Sequence, residues 1–249
     1  MIPLDTLGRA KTADGCDLVL YHRDGVFQIR IDGLELMSSN AHGSEKALAE
    51  LAHEVIRKVQ QPRVLIGGLG MGFTLRAALD CFPKAATIVV AELFAEVVEW
   101  NRGPLSHLAG RPLYDPRVRL RRADVNDVLA DEPFDCILLD VDNGPGAFTV
   151  KSNARLYGTS GTNRLVRALK RHGVLALWSA TVEQTFERQL RRSGLEVRCH
   201  RVHARGSAGG ARHAIYLVCR PHRGDGKAPA RRPVKNAVRK LGKKGRRRR

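Results

Sequence analysis

Several things are scarce in this sequence. Its 249 residues include five cysteines, Cys16, Cys81, Cys136, Cys199 and Cys219, and no two form a C-x-x-C pair. An odd, scattered set excludes a disulfide framework and a cysteine zinc site, so reduced core thiols are expected. His42, His53, His107, His172 and His213 are too dispersed to suggest a metal centre, and no metal is expected. Long apolar runs are missing as well. Nothing approaches the roughly 18–20 residues of a membrane span, and the opening MIPLDTLGRAKTADG has no leader-like apolar stretch. A soluble, cytoplasmic protein with no membrane partner is the expectation.

Acidic residues are the minority, with 25 Asp+Glu against 43 Lys+Arg and a formal net charge of +18. The surplus is uneven. Residues 221–249 hold 13 basic side chains against the single Asp225, which leaves +6 for the first 220 residues. That segment is rich in Pro and Gly and poor in apolar side chains, so it is expected to be a disordered basic tail. It also has no aromatic residue. Lysines and arginines without interleaved aromatics suit phosphate contacts but no base readout, so residues 223–249 would make a weak, nonspecific nucleic-acid contact. A solvated solubility tail is the plainer alternative. The remainder, in a chain that is 43% hydrophobic, suits one α/β domain with a small appendage.

The first forty residues alternate apolar and polar positions, interrupted by Asp24-Gly25 and Asp32-Gly33, a pairing that supplies the positive φ angles of two-residue hairpins. A small N-terminal β-meander over residues 1–42 is expected. Apolar spacings of three and four then predict a helix over 45–58, with Ala47, Leu48, Leu51, Ala52, Val55, Ile56 and Val59 on one face. From residue 63 strands and helices alternate, the pattern of a parallel sheet covered on both faces. Strands are expected over 64–67, 87–91, 118–121, 134–140, 173–178, 195–202 and 213–219. Helices are expected over 74–81, 95–101, 162–170 and 182–193. The Gly-rich connection before the last strand is too short for a helical crossover, so an antiparallel hairpin should close the sheet edge. The domain reading is a β-meander over 1–42, a Rossmann-type domain over 43–220 and the tail over 221–249.

The first strand-to-helix junction reads VLIGGLGMGFTLRAAL. Gly67, Gly68, Gly70 and Gly72 would let a ligand approach the backbone where no Cβ could fit. Tight packing of helix on strand is the plainer explanation of such a turn. No Lys-Ser/Thr follows, which excludes a nucleoside-triphosphate P-loop. The next three strands end in carboxylates: TIVVAE at Glu92, VRLRRAD at Asp124 and FDCILLD at Asp140. Open α/β sheets bind ligands at the carboxyl ends of their strands, so these acids should converge beside the glycine turn. An ionised carboxylate is a pure acceptor, suited to ribose hydroxyls after the second strand and to an exocyclic amine after the third. Asp124 would equally serve as a helix N-cap. Dinucleotide-binding domains use the glycine turn and the first acid but do not call for the other two. The series therefore favours an S-adenosyl nucleoside held by Gly68, Gly70, Met71, Gly72, Glu92 and Asp124.

Over residues 26–180 the chain resembles the polyamine aminopropyltransferases, the spermidine and spermine synthases. The resemblance rests on the meander, the glycine turn followed by Thr74-Leu75-Arg76, Glu92 with Val97-Val98-Glu99, the segment Asp115-Pro116-Arg117-Val118, Asp124, and Phe134 through Asp140 leading into a Gly-Pro loop. It implies a methyltransferase-like Rossmann fold, mostly parallel with an antiparallel last strand, behind an N-terminal β-domain. It implies that Glu92 holds the ribose, that Asp124 holds the adenine and that Asp140 acts on the attacking amine. Family synthases are often dimers or tetramers, so a homodimer is one assembly the resemblance allows. The chain also departs from the family. Met71 stands where synthases carry an aspartate for the donor's aminopropyl ammonium, the acceptor-side tyrosine and histidine are missing, and the loop Asp140-Val141-Asp142-Asn143-Gly144-Pro145 is compressed.

Aminopropyl transfer needs an amine nitrogen, deprotonated at the moment of attack, aligned with a carbon bonded to a sulfonium. A carboxylate there takes the proton, and several acids attract a small polycation such as putrescine. Asp140 is the candidate base, Asp142 a candidate ammonium anchor and Tyr157 a wall or hydrogen-bond partner. As a plainer reading, Asp142 and Asn143 form a turn. The co-substrate would be decarboxylated S-adenosylmethionine or, for methyl transfer to a small molecule or RNA, S-adenosylmethionine itself. The Asn/Asp-Pro-Pro-Tyr/Phe motif and a Cys after the fourth strand are both absent, which disfavours methylation of DNA bases. A nucleoside-binding domain tethered to nucleic acid by its tail is the non-enzymatic alternative.

Overall fold

A computed structural model describes residues 4–12, 15–131, 133–141 and 154–221. The tail from residue 222 onward, and Asp142, lie outside the described residues.

The chain opens with four antiparallel strands in sequential order, β1 (Asp5–Lys11), β2 (Asp17–Arg23), β3 (Val26–Ile31) and β4 (Leu34–Ser38). Both expected Asp-Gly turns are present. Asp24, Gly25, Asp32 and Gly33 all have positive φ, as tight hairpins between right-twisted strands require. Helix α1 (Gly43–Ile56) follows, two residues earlier at each end than its periodicity predicts. Its start is fixed by tertiary contact: the Gly43 N–H donates to Ala204 O at 2.7 Å, and a Cβ at Gly43 would stand 2.3 Å from Gly206 N. Six of its seven expected face residues are buried or half-buried. Val55 is the exception, at 40% exposure.

The Rossmann-type part runs β5 (Arg63–Gly67), α2 (Phe73–Cys81), β6 (Thr87–Glu92), α3 (Ala95–Arg102), β7 (Val118–Arg122), the single-turn α4 (Val125–Val128) and β8 (Phe134–Leu139). It continues with α5 (Ala154–Tyr157), α6 (Thr159–Arg167), β9 (Leu169–Ser179), α7 (Gln184–Arg192), β10 (Glu196–His203) and β11 (Arg212–Cys219). Among the described residues these strands form one seven-stranded sheet in the order β10-β11-β9-β8-β5-β6-β7. Only β11 runs against the others, paired antiparallel to both β9 and β10. The chain moves outward from β5 to β7, then returns to β8 on the other side of β5. That reversal opens a crevice at the carboxyl ends of β5 and β8.

Two sequence expectations need correction. Residues 168–170 were expected to end a helix, but α6 stops at Arg167 and β9 starts at Leu169. The reason is a cross-strand anchor: Lys170 Nζ lies 2.8 Å from Asp135 Oδ2, which also accepts from the Arg63 N–H. The one-turn helix α5 was not expected, and α4 was foreseen only as the helix that Asp124 would cap; both are too short to show a helical period.

The core has two layers, one on each face of the large sheet. Ile66, Leu138, Ala176 and Ile215 pack under α1, α2 and the N-terminal sheet, whereas Leu65, Ile137, Leu139, Leu175 and Tyr216 pack on the opposite face with Leu165 of α6 and Phe186 and Leu190 of α7. Leu18, Leu20, Phe27, Ile29 and Ile31 of the small sheet belong to the first layer. The N-terminal sheet is separate in pairing but shares its core with the larger domain. No helix of the described residues is long and apolar enough to cross a membrane.

Candidate active site

The turn after β5 is built on backbone proximity. Gly68 has φ +90°, and a Cβ there would meet Asp140 O at 2.5 Å, so this glycine lets β5 and β8 close on each other. Gly70 has φ +53°, and its missing Cβ leaves room for Met37 of β4, whose Cε would otherwise be 2.6 Å away. Gly72 caps α2 in the left-handed region. Asn101 of α3, buried, donates through Nδ2 to Gly70 O at 2.7 Å and Val97 O at 2.9 Å, which fixes the turn to α3.

Glu92 ends β6 directly beside this turn. Its Oε2 accepts from the Leu69 N–H and its Oε1 from the Phe94 N–H, each at 2.9 Å. Burial raises its pKa, and these backbone donors work against that rise. Each carboxylate oxygen keeps further acceptor capacity for a ligand hydroxyl. Asp124 is the N-cap of α4, with Oδ1 accepting from the Asn126 N–H at 2.8 Å and from Asn126 Nδ2 at 3.0 Å. It is therefore a cap and also a wall of the crevice.

Asp140 follows β8 with its side chain on the α1 face. Thr74, at the start of α2, donates Oγ1–H to Asp140 Oδ2 at 2.5 Å. Burial pushes Asp140 up to about 6 despite that hydrogen bond. Its neighbour is Glu45 in the first turn of α1, 9% exposed and pushed up to about 7, first by burial and then by the negative charge of Asp140. The Ser44 hydroxyl donates to Glu45 Oε2 at 2.6 Å. Two carboxyls so placed titrate as a pair near neutrality, the range suited to a general base.

Gly68, Gly70, Glu92, Asp124 and Asp140 all line one crevice, whose volume is about 860 Å³ with its open mouth included. Leu18, Ile29, Ile31, Leu36 and Met37 of the small sheet close its other side. The remaining sequence candidates are elsewhere. Met71 is 2% exposed and packs in the core under the turn. Tyr157 is buried, donates its hydroxyl to Val141 O at 3.0 Å and packs edge-on against Phe186, so it braces the chain just after Asp140. Among the described residues no group of three or more His, Cys, Asp and Glu could hold a metal ion.

Sequence reasoning missed Glu45, Asn101 and Met37. Two of them left a trace: Glu45 lies three, four and seven residues before Leu48, Ala49 and Ala52, and Asn101 four after Val97, so each is a polar residue on an apolar helix face. The segment Asp115-Pro116-Arg117-Val118 does not reach the crevice. Arg117 donates Nε and Nη2 to the Asp115 carboxylate, each at 2.9 Å, and Nη2 to Leu79 O at 3.0 Å, tying the amino end of β7 to the last turn of α2.

No family model and no curated protein matches the chain. Solved structures do. A spermidine synthase in complex with the transition state analogue AdoDATO matches with a TM-score of 0.66 and 17% identity, over 86% of this chain and 71% of that one. The spermidine synthase from Thermotoga maritima matches with a TM-score of 0.66 and 18% identity, over 86% of this chain and 72% of that one. The chain has a spermidine synthase-like fold, a Rossmann sheet with one antiparallel strand behind a small N-terminal β-sheet.

Proposed function

We propose that this chain is a transferase of the spermidine synthase type, moving an aminopropyl group from decarboxylated S-adenosylmethionine to a diamine or polyamine. The observation that carries the reading is Asp140, half-buried in the crevice with Gly68, Gly70 and Glu92 and electrostatically paired with the buried Glu45. Glu92 would take the ribose hydroxyls and Asp124 the adenine amine, and the space above Gly68 and Gly70 would admit the nucleoside. The sulfonium supplies a carbon poised for attack. The amine lone pair forms the new C–N bond, the C–S bonding pair returns to sulfur, and Asp140 takes the proton from nitrogen. An acid-lined crevice favours both a cationic donor and a cationic acceptor.

Met71 supports a second reading, methyl transfer from intact S-adenosylmethionine. It occupies the position of the synthases' aspartate and is buried in the core, so no carboxylate of the turn is available to an aminopropyl ammonium. The deciding assay offers decarboxylated S-adenosylmethionine with putrescine or spermidine, and S-adenosylmethionine with RNA and small amines. Release of methylthioadenosine in the first supports aminopropyl transfer. Release of S-adenosylhomocysteine in the second, with none of the former, replaces it by the methyl-transfer reading.

A further inference from the structure

A polar row crosses the α1 face of the sheet at its carboxyl edge. Thr74 of α2 bonds Asp140, the charge of Asp140 acts on Glu45 of α1, Ser44 bonds Glu45, and His213 of β11 lies with Nδ1 2.9 Å from Ser44 Oγ. Trp178 of β9 packs edge-on against the His213 ring, centroids 4.8 Å apart. Ser44 and Glu45 are buried, whereas His213 is partly exposed. The row therefore leads from the buried Glu45 towards solvent.

Proton arithmetic fixes its polarity. Ser44 has one hydroxyl proton, and in the observed geometry it goes to Glu45. The remaining contact then requires His213 to donate its Nδ1–H to Ser44 Oγ. If Glu45 is protonated, both bonds reverse: Glu45 donates to Ser44, Ser44 donates to Nδ1, and the ring carries its proton on Nε2.

We propose that Ser44 and His213 form a proton exit from Glu45 to solvent, reversing their hydrogen bonds as the proton passes. The atoms balance. From the state with Glu45 protonated and the ring proton on Nε2, the Glu45 proton moves to Ser44 Oγ, the Ser44 proton moves to His213 Nδ1 and the Nε2 proton leaves to water, which restores the ionised Glu45 and the Nδ1–H ring; in uptake water protonates Nε2 and the same transfers run in reverse. The groups acting on Glu45 are Asp140 from the end of β8, itself bonded by Thr74 of α2, and Ser44, to which His213 of β11 is joined; its own backbone N–H at the start of α1 favours its ionised form. Burial holds the ionisation of His213 below its ordinary range, so the ring stays neutral while Glu45 takes up its proton. The use of this exit in turnover rests on the transferase reading; the coupled switch does not.

Two measurements test it on the full chain. The first needs no turnover: ¹⁵N NMR of His213 followed across the Glu45 titration. The neutral ring should carry its proton on Nδ1 at high pH and on Nε2 once Glu45 is protonated, and Ser44→Ala should abolish that change while Ser44→Thr keeps it. A tautomer indifferent to pH in the wild type, or a change that survives in Ser44→Ala, overturns the relay. The second measures turnover and proton release to a pH indicator. Ser44→Ala and His213→Phe, which keeps a ring against Trp178, should lower kcat at least tenfold with KM unchanged, and imidazole should restore His213→Phe. Unchanged kcat in both variants overturns the exit role. A wild type that switches tautomer yet turns over no amine removes the transferase reading and leaves the switch standing.

Discussion

Asp140 and Glu45 are costly residues for a fold to keep. Each prefers its proton in the native state more than in the unfolded chain, where carboxyls titrate near ~4. The native state therefore binds more protons between about 4 and the raised values of about 6 for Asp140 and about 7 for Glu45, so stability falls as pH rises through that window. Asp140→Asn should abolish amine transfer while raising the melting temperature at pH 8, and the gain should vanish below pH 4. Equal melting temperatures at pH 8 would mean that the carboxyl is not held out of water. In Asp140→Asn the negative neighbour of Glu45 is also gone, so Glu45 should titrate below its raised value of about 7, read by carboxyl ¹³C NMR. A titration that stays in place would separate Glu45 from Asp140. This pairing was legible only in halves. Asp140 stands out as the third acid to end a strand, but 95 positions separate it from Glu45 and only the packing of α1 across β8 brings the two together.

Among the elements, the glycine turn and the Asp115–Arg117 loop divide the work between opposite ends of the sheet. The turn faces the crevice. The loop holds its far end: Arg117 meets carbonyls at the end of α2, and its guanidinium draws Asp115 down to about 2. Arg117→Ala leaves Asp115 and those carbonyls without their donor, a loss of ~2–3 kcal/mol on the scale of hydrogen bonds to charged groups, measurable by urea unfolding, with nucleoside affinity unchanged. A variant as stable as the wild type would contradict the anchoring role. Because Asp115 is depressed, its contribution is present above pH ~4 and fades as pH falls towards 2. Gly70→Ala puts a methyl against Met37 at a positive φ, so nucleoside binding should weaken at least tenfold. The central strands of the large sheet were legible because buried parallel strands read as continuous apolar runs, whereas the largely exposed β7 showed only by its place in the alternation. Boundaries were less so: Lys170 belongs to β9 because Asp135 holds it there, a contact without any periodic signature.

At the level of the whole molecule, the two sheets on either side of residue 42 share one core. Leu18, Leu20, Phe27, Ile29 and Ile31 are buried in the common core. At ~2 kcal/mol per buried apolar side chain they contribute on the order of 10 kcal/mol, as much as the whole stability of a typical domain. A chain starting at residue 43 should lose its cooperative thermal transition by circular dichroism; a normal transition would contradict the shared core. Charge divides along other lines. The basic surplus of the sequence is concentrated beyond residue 220, whereas the crevice presents Glu92, Asp124 and Asp140. Calorimetric titration of the full chain with decarboxylated S-adenosylmethionine, S-adenosylmethionine and methylthioadenosine tests the reading of that crevice most directly. The aminopropyl-transfer account predicts binding of the decarboxylated donor at least as tight as that of the intact one. A tenfold preference for S-adenosylmethionine, about 1.4 kcal/mol, would contradict it, and binding of none of the three would contradict the nucleoside site itself.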